Sequence, residues 1–210
     1  MPSSPSFFVC SRAAPPVQRF RAWFWILAGL VSVGAAPAIA STDHPAPALV
    51  QGATAQLLAE GGVRDAKTLR EDVARVVVPH FDLPRVSRRV LGKHWEAASS
   101  AQRDSFTTLL EQYLTETYAG FVRDLGQNSI VYLPTRQTGK SGKRVKVRTR
   151  IDAERGPNVR VDYGLHAFDG DWKVYDVLTN GVSLVKLYKV EFANEIRRSG
   201  LDGLLAQLAE

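Results

Sequence analysis

The stretch Arg144–Leu178, RVKVRTRIDAERGPNVRVDYGLHAFDGDWKVYDVL, decides the fold by its alternation. Val145, Val147, Thr149 and Ile151 interleave with Arg144, Lys146, Arg148 and Arg150. Val159, Val161, Tyr163 and Leu165 interleave in the same way with Arg160, Asp162, Gly164 and His166. A side-chain period of two is that of a strand with one buried and one wet face. Asp169-Gly170 reads as a hairpin turn and Trp172–Leu178 as the next strand. Upstream, Ser129–Leu133 is a further short strand, ended by Pro134. Four consecutive strands with short connections predict an antiparallel meander.

Outward from the strands the period becomes helical. Leu49, Val50, Ala53, Leu57 and Leu58 recur at helix spacing before Gly61-Gly62. A second helix runs from Asp65 with Leu69, Val73, Val76 and Val77 on one side, and Pro79 ends it. HFDLPRVSRRVLGKHW holds a short helix opened by Pro84 and closed by Gly92. Ser99 or Ser100 caps a long helix over about 100–125, with Phe106, Leu110, Leu114, Tyr118 and Phe121 along one stripe. Two helices close the chain, 183–199 and 201–209, separated by Gly200. The expectation is an α+β fold: a four-stranded antiparallel sheet with about six or seven helices packed on one face.

The N-terminus has a different character. Arg12, Arg19 and Arg21 precede the apolar run 22–31, and small residues lead to Ala38-Ile39-Ala40. Basic region, short apolar core and Ala-x-Ala site make a cleavable export signal over 1–40, with cleavage after Ala40. The apolar run is short of the roughly 20 residues that span a bilayer. Cys10, the only cysteine, lies before that run, which argues against a lipoprotein. Residues 41–48, STDHPAPA, read as a mobile leader, and 49–210 as one domain without disulfides. Export removes three of the 27 basic residues and none of the 21 acidic ones, so the net charge falls from +6 to about +3.

Chemistry-bearing patterns are few. The stripe Arg144, Lys146, Arg148, Arg150 reads first as a solvated sheet face, then as a contact for phosphate headgroups or an acidic partner. Nucleic acid is not expected for an exported domain of this charge. The four histidines are scattered and have no cysteine partner, so no metal site is predicted. Asp169-Gly170-Asp171 lacks the remaining ligands of a calcium loop. No nucleophile elbow, phosphate-binding loop or dinucleotide fingerprint is present. No enzyme is predicted. What remains is apolar and aromatic surface converging from sheet and helices, the core of a domain or the wall of an apolar pocket.

Three stretches carry a resemblance. PHFDLPRVSRRVLGKHW (79–95), Tyr118-Ala119 within ETYAGFV, and WKVYDVLTNGVSLVKLYKVEFANEIRRSG (172–200) followed by LDGLLAQL resemble the MlaC family, the phospholipid-binding proteins linked to toluene tolerance. The resemblance spans about residues 60–209. It implies a periplasmic phospholipid carrier of a Gram-negative cell that maintains outer-membrane lipid asymmetry. Its partners would be an inner-membrane ABC transporter complex with a substrate-binding-domain ring and an outer-membrane lipoprotein–porin complex, in transient membrane-complex contacts. It implies an apolar pocket for acyl chains, with phospholipid as ligand and no cofactor. On that reading the pocket walls include Val86, Val90, Tyr118, Val147, Ile151, Val161, Tyr163, Leu165 and Val174, with Arg85, Arg88 and Arg89 near the mouth or a partner surface. The competing classes are a periplasmic adaptor without ligand and an NTF2-like small-molecule enzyme using Asp162 or Asp176.

Overall fold

Helices precede the strands, and one helix follows them. The computed structural model describes residues 44–59, 65–125, 129–139, 141–153 and 156–210. Their order is α1 (Pro45–Ala59), α2 (Ala66–Val76), a 3-10 turn at Val78–His80, α3 (Leu83–Leu91), α4 (Lys93–Ala97) and α5 (Ser100–Leu125). Then come β1 (Ser129–Gln137), β2 (Arg144–Asp152), β3 (Val159–Phe168), β4 (Asp171–Thr179), β5 (Val182–Ser183) and α6 (Leu184–Leu208). The expected export signal, its cleavage point after Ala40 and residues 41–43 of the leader lie outside the described residues. Helix α1 begins at Pro45, within the expected leader. Proline fits the first helical turn, where its missing N–H has no partner to lose, and the Ala46 N–H donates to His44 Nδ1 at 3.2 Å.

The strands form one antiparallel sheet in the order β1-β2-β3-β4-β5. It has five strands where alternation predicts four. The fifth is two residues long, too short to show a period. Its signal is Asn180-Gly181, whose φ values of 49° and 86° are those of a two-residue hairpin turn. Asp169-Gly170 makes the same turn between β3 and β4 with φ of 46° and 86°. Strand β1 continues past Pro134, and its register with β2 shifts between Leu133 and Arg136. A proline that cannot donate is tolerated there because β1 is an edge strand and the shift absorbs it.

Local chemistry fixes the helix ends. Ser99 Oγ accepts from the Gln102 N–H (3.1 Å) and Gln102 Oε1 from the Ser99 N–H (3.0 Å), a reciprocal cap that opens α5. Asp82 caps α3 and Ser183 caps α6. Helix α6 breaks at Gly200, where φ is 75°, so its two halves match the two closing helices expected.

Register places Val145, Val147, Thr149 and Ile151 opposite Leu165, Tyr163, Val161 and Val159. This face packs with Ala46 and Val50 of α1. A second cluster joins α3, α5 and α6 through Val86, Val90, Phe106, Leu110, Tyr188 and Phe192. A third joins α1, α2 and α5 through Leu57, Leu69, Val73, Val76 and Ala119. The interior is therefore three packed clusters with seams between them.

One buried polar knot ties the sheet to α6. Both Asp176 oxygens accept from Ser183 Oγ (2.9 and 2.8 Å), and Oδ1 also faces the Val185 N–H at 3.4 Å. Asp176→Ala orphans these donors and is expected to cost about 2 kcal/mol of unfolding free energy in urea titrations. A loss below about 0.5 kcal/mol would assign the helix start to packing alone.

Candidate functional site

Two cavities occupy the seams of the three-part core. The first, about 50 Å³, lies between α1 and the apolar sheet face. Leu49, Val50, Ala53, Thr54, Leu57 and Leu58 of α1 face Ile130, Thr149, Ile151, Tyr163 and Val174 of the sheet, with Tyr118, Phe121 and Val122 of α5 and with His80. The second, about 60 Å³, is walled by Val73, Leu83, Val86, Leu110, Leu114, Val177, Val185 and Tyr188. Polar residues in its lining are Glu111, Thr115, Thr117 and Asp176. Val77, Phe81 and Tyr118 line both cavities. These three side chains form a septum between two apolar chambers.

The septum is held by its backbone. Pro79 ends the α2 segment, and its carbonyl accepts from Lys173 Nζ at 2.6 Å. Phe81 then bridges Val174 in parallel, with the Asp82 N–H donating to the Val174 carbonyl at 2.9 Å. Asp82 Oδ1 accepts from the Arg85 N–H at 3.1 Å, and Oδ2 lies 2.8 Å from His166 Nε2. The other ring nitrogen of His166 is 3.1 Å from the Ala167 carbonyl. Both ring nitrogens thus lie within hydrogen-bond distance of oxygen atoms, which fixes the ring between the strap and β3. Residues 79–82 are strapped to β3 and β4, and Phe81 projects from that strap.

Tyr118 and Tyr163 meet across the seam with their hydroxyl oxygens 3.1 Å apart. Burial pushes both phenols up, that of Tyr163 well above its ordinary value. They remain neutral hydrogen-bonding groups at the seam. Burial, then the charge of Lys173, pushes the His80 imidazole down, so the histidine on the first cavity favours its neutral form. Beside the second cavity, burial and then the Glu191 carboxylate push Tyr113 up to about 12. Tyr188 is raised by burial and by Tyr113, and Glu191 is raised by burial.

Of the nine expected pocket residues, Ile151, Tyr163 and Val174 line the first cavity, Val86 the second, and Tyr118 both. Val147, Val161 and Leu165 lie in the sheet-side cluster, and Val90 in the cluster of α3, α5 and α6, at most 2% exposed. Arg85, Arg88 and Arg89 line neither cavity. Arg89 donates to the Tyr175 carbonyl (3.1 Å), Arg88 pairs with Glu96 (2.8 Å), and the Arg85 and Arg89 guanidiniums lie over the Tyr175 ring. Gly164 leaves room for that ring: a Cβ there would come within 3.3 Å of it. Asp176 borders the second cavity but is bonded to Ser183, and Asp162 lines neither cavity and is bonded to Arg160. Sequence reasoning missed the α1 wall, Val77 and the dividing role of Phe81. The apolar spacing of α1 was visible, but which elements it would face was not.

Among the described residues no helix is long and apolar enough to cross a membrane. A family model described as MlaC protein matches residues 50–210. The toluene tolerance protein ttg2D of Pseudomonas putida is 25% identical over 180 residues, covering 82% of this chain and 83% of that protein. The intermembrane phospholipid transport system binding protein MlaC of Haemophilus influenzae is 21% identical over 201 residues, covering 91% and 94%. The solved structure of a phospholipid-binding protein from Ralstonia solanacearum, in complex with a phospholipid, superposes with a TM-score of 0.68 at 28% identity. That superposition covers 79% of this chain and 99% of the other.

The buried phenols carry a pH dependence. A phenol raised in the folded state holds its proton more firmly there than in the unfolded chain, whose value is about 10. The stability so gained is complete below about pH 10 and is lost as pH rises toward the folded values, near 12 for Tyr113. Urea titrations are expected to give an unfolding free energy that falls beyond about pH 10, with phenolate absorbance of these tyrosines rising together with unfolding. Early ionisation of all four without loss of structure would contradict their burial.

Proposed function

The chain belongs to the MlaC family, and from that premise we propose that it is an exported phospholipid carrier whose acyl-chain seats are the two cavities joined at Phe81 and Tyr118. The observation that carries this reading is the shared wall. Two apolar chambers on either side of one septum suit a ligand with two apolar tails. The reading is supported by the Ralstonia phospholipid-binding protein, which has the same fold and was solved with a phospholipid.

Volume sets the mechanism. Ligand pockets run to about 300–1,000 Å³, far above the 50 and 60 Å³ of the cavities here. Seating acyl chains therefore requires the walls to part and the Tyr118–Tyr163 contact to open. Each methylene buried contributes about 0.8 kcal/mol, which offsets that disruption. The wall with least to lose is α1. It carries no charged residue, and apolar side chains make up most of its cavity face. Widening the first cavity brings Val147, Val161 and Leu165 toward the ligand beside Ile151, Tyr163 and Val174. Widening the second does the same for Val90 beside Val86. No step in this job needs a catalyst.

Release is a shift between conformers, driven by a partner that binds the opened state more tightly. The proposed partners are an inner-membrane ABC transporter complex with its substrate-binding-domain ring and an outer-membrane lipoprotein–porin complex. The compartment is the periplasm, reached by the export signal 1–40, and the service is outer-membrane lipid asymmetry. The small volumes also suit a ligand-free adaptor, which makes cavity filling the discriminating test. Ala53→Phe fills the first cavity and Leu114→Trp the second. Either should lower transfer of a fluorescent phospholipid between vesicles by about tenfold while the fold persists, because one tail loses its seat. Folded variants that transfer lipid at the unmodified rate would sink the two-chamber assignment.

A further inference from the structure

The outer face of the sheet carries a charge arrangement that the cavities do not use. Strand register sets Arg136 directly opposite Lys146 and Arg150 directly opposite Arg160. Like charges in directly opposed positions destabilise a sheet, so this face is not arranged for stability alone. Arg144 and Arg148 project from the same side of β2, giving six cations on three adjoining strands.

Two carboxylates answer them, and both are already engaged. Asp152 pairs with Arg150. Asp162, 1% exposed, takes two bonds of 3.1 Å from Arg160 and lies 4.0 Å from Lys146. Among the described residues Arg136, Arg144 and Arg148 form no ion pair, and Arg148 Nε is buried without a hydrogen-bond partner. Partial burial, then the cations of Arg136 and Arg160, pushes the Arg148 guanidinium down from its ordinary value. The face thus holds a surplus of four positive charges, against about +3 for the whole of residues 41–210.

Dimensions make these charges act together. From Arg144 to Arg150 the row is about 20 Å long, and neighbouring strands are about 5 Å apart. Both the spacing between strands and that between alternate residues are below the Debye length of about 8 Å at physiological salt. Neither cavity is lined by these cations, and the sheet residues of the first belong to the other face. At one end, Phe168 is 46% exposed, two residues beyond His166 and so on the same side, and His166 is itself opposite Arg144. A broad basic face with an exposed aromatic ring at its margin matches a layer of phosphate headgroups, where cations meet phosphate and an aromatic ring settles at the interface.

We propose that the outer face formed by β1, β2 and β3 docks the protein on an anionic phospholipid membrane surface, with Arg136, Arg144, Lys146, Arg148, Arg150 and Arg160 against the phosphates and Phe168 in the interfacial layer. The docking does not depend on what the cavities hold. Loss of docking with lipid transfer between partner complexes intact, and the reverse, are separate results.

Sedimentation of the purified protein with vesicles tests it. Binding is expected on mixed phosphatidylcholine–phosphatidylglycerol vesicles at about 0.1 M salt, little on pure phosphatidylcholine, and release at about 0.5 M. Arg136→Glu with Arg144→Glu, both exposed and outside the Asp162 network, should weaken partition by about a hundredfold or more. Arg136→Lys with Arg144→Lys should keep it, which guards against a mere folding defect, and Phe168→Ser should lower it by about tenfold. Equal partition onto neutral and anionic vesicles overturns the proposal. So does salt-sensitive retention on polyglutamate without any binding to anionic vesicles, which would assign the face to an acidic protein instead.

Discussion

Asp82 holds three elements with one carboxylate and one amide. One oxygen caps α3, the other meets His166 on β3, and its N–H pairs with the Val174 carbonyl on β4. Because Pro79 and Pro84 flank it, the chain between α2 and α3 has few alternatives to the course it takes. That course sets Phe81 between the two cavities. Were the strap to slip, α3 would lose its cap, β4 its parallel bridge and the interior its septum together. The same short segment belongs to one of the three stretches that carry the family resemblance, and nearly every residue of PHFDLP has a separate structural task.

The core follows from this clamp. With Phe81 fixed, the sheet-side, helix-side and α1–α2–α5 clusters cannot merge into a single close-packed interior, and cavities persist at their junction. Walls that are mostly apolar favour apolar contents, and the two phenols that meet across the seam are kept neutral by burial. An interior of this kind is costly to leave poorly packed and cheap to fill with hydrocarbon. A carrier needs that balance, since its ligand has to enter and leave without chemistry.

Much of the fold was legible in the sequence because its signals are periodic. The alternation of Arg144–Ile151 and Val159–Leu165 gave the register-bearing face, and the stripe from Phe106 to Phe121 gave the long helix. The two-residue β5 has no period, and only Asn180-Gly181 announced it. Pro134 marked a register shift rather than a strand end, because an edge strand tolerates a missing donor. The candidate site was half legible. Tyr118, Tyr163, Ile151, Val174 and Val86 line cavities, whereas Val90, Val147, Val161 and Leu165 have the same hydrophobic signature and lie beneath them. Periodicity names a buried face but not which part of that face is against a gap. That distinction belongs to packing between elements far apart in sequence, as for Phe81 and Tyr118.

The account rests on hydrocarbon occupying those gaps, and mass spectrometry of an organic-solvent extract of the purified protein addresses it most directly. About one phospholipid per chain, lost from the protein on denaturation, is the predicted result. A folded, unextracted protein that yields no phospholipid, and takes none up from vesicles, would contradict it.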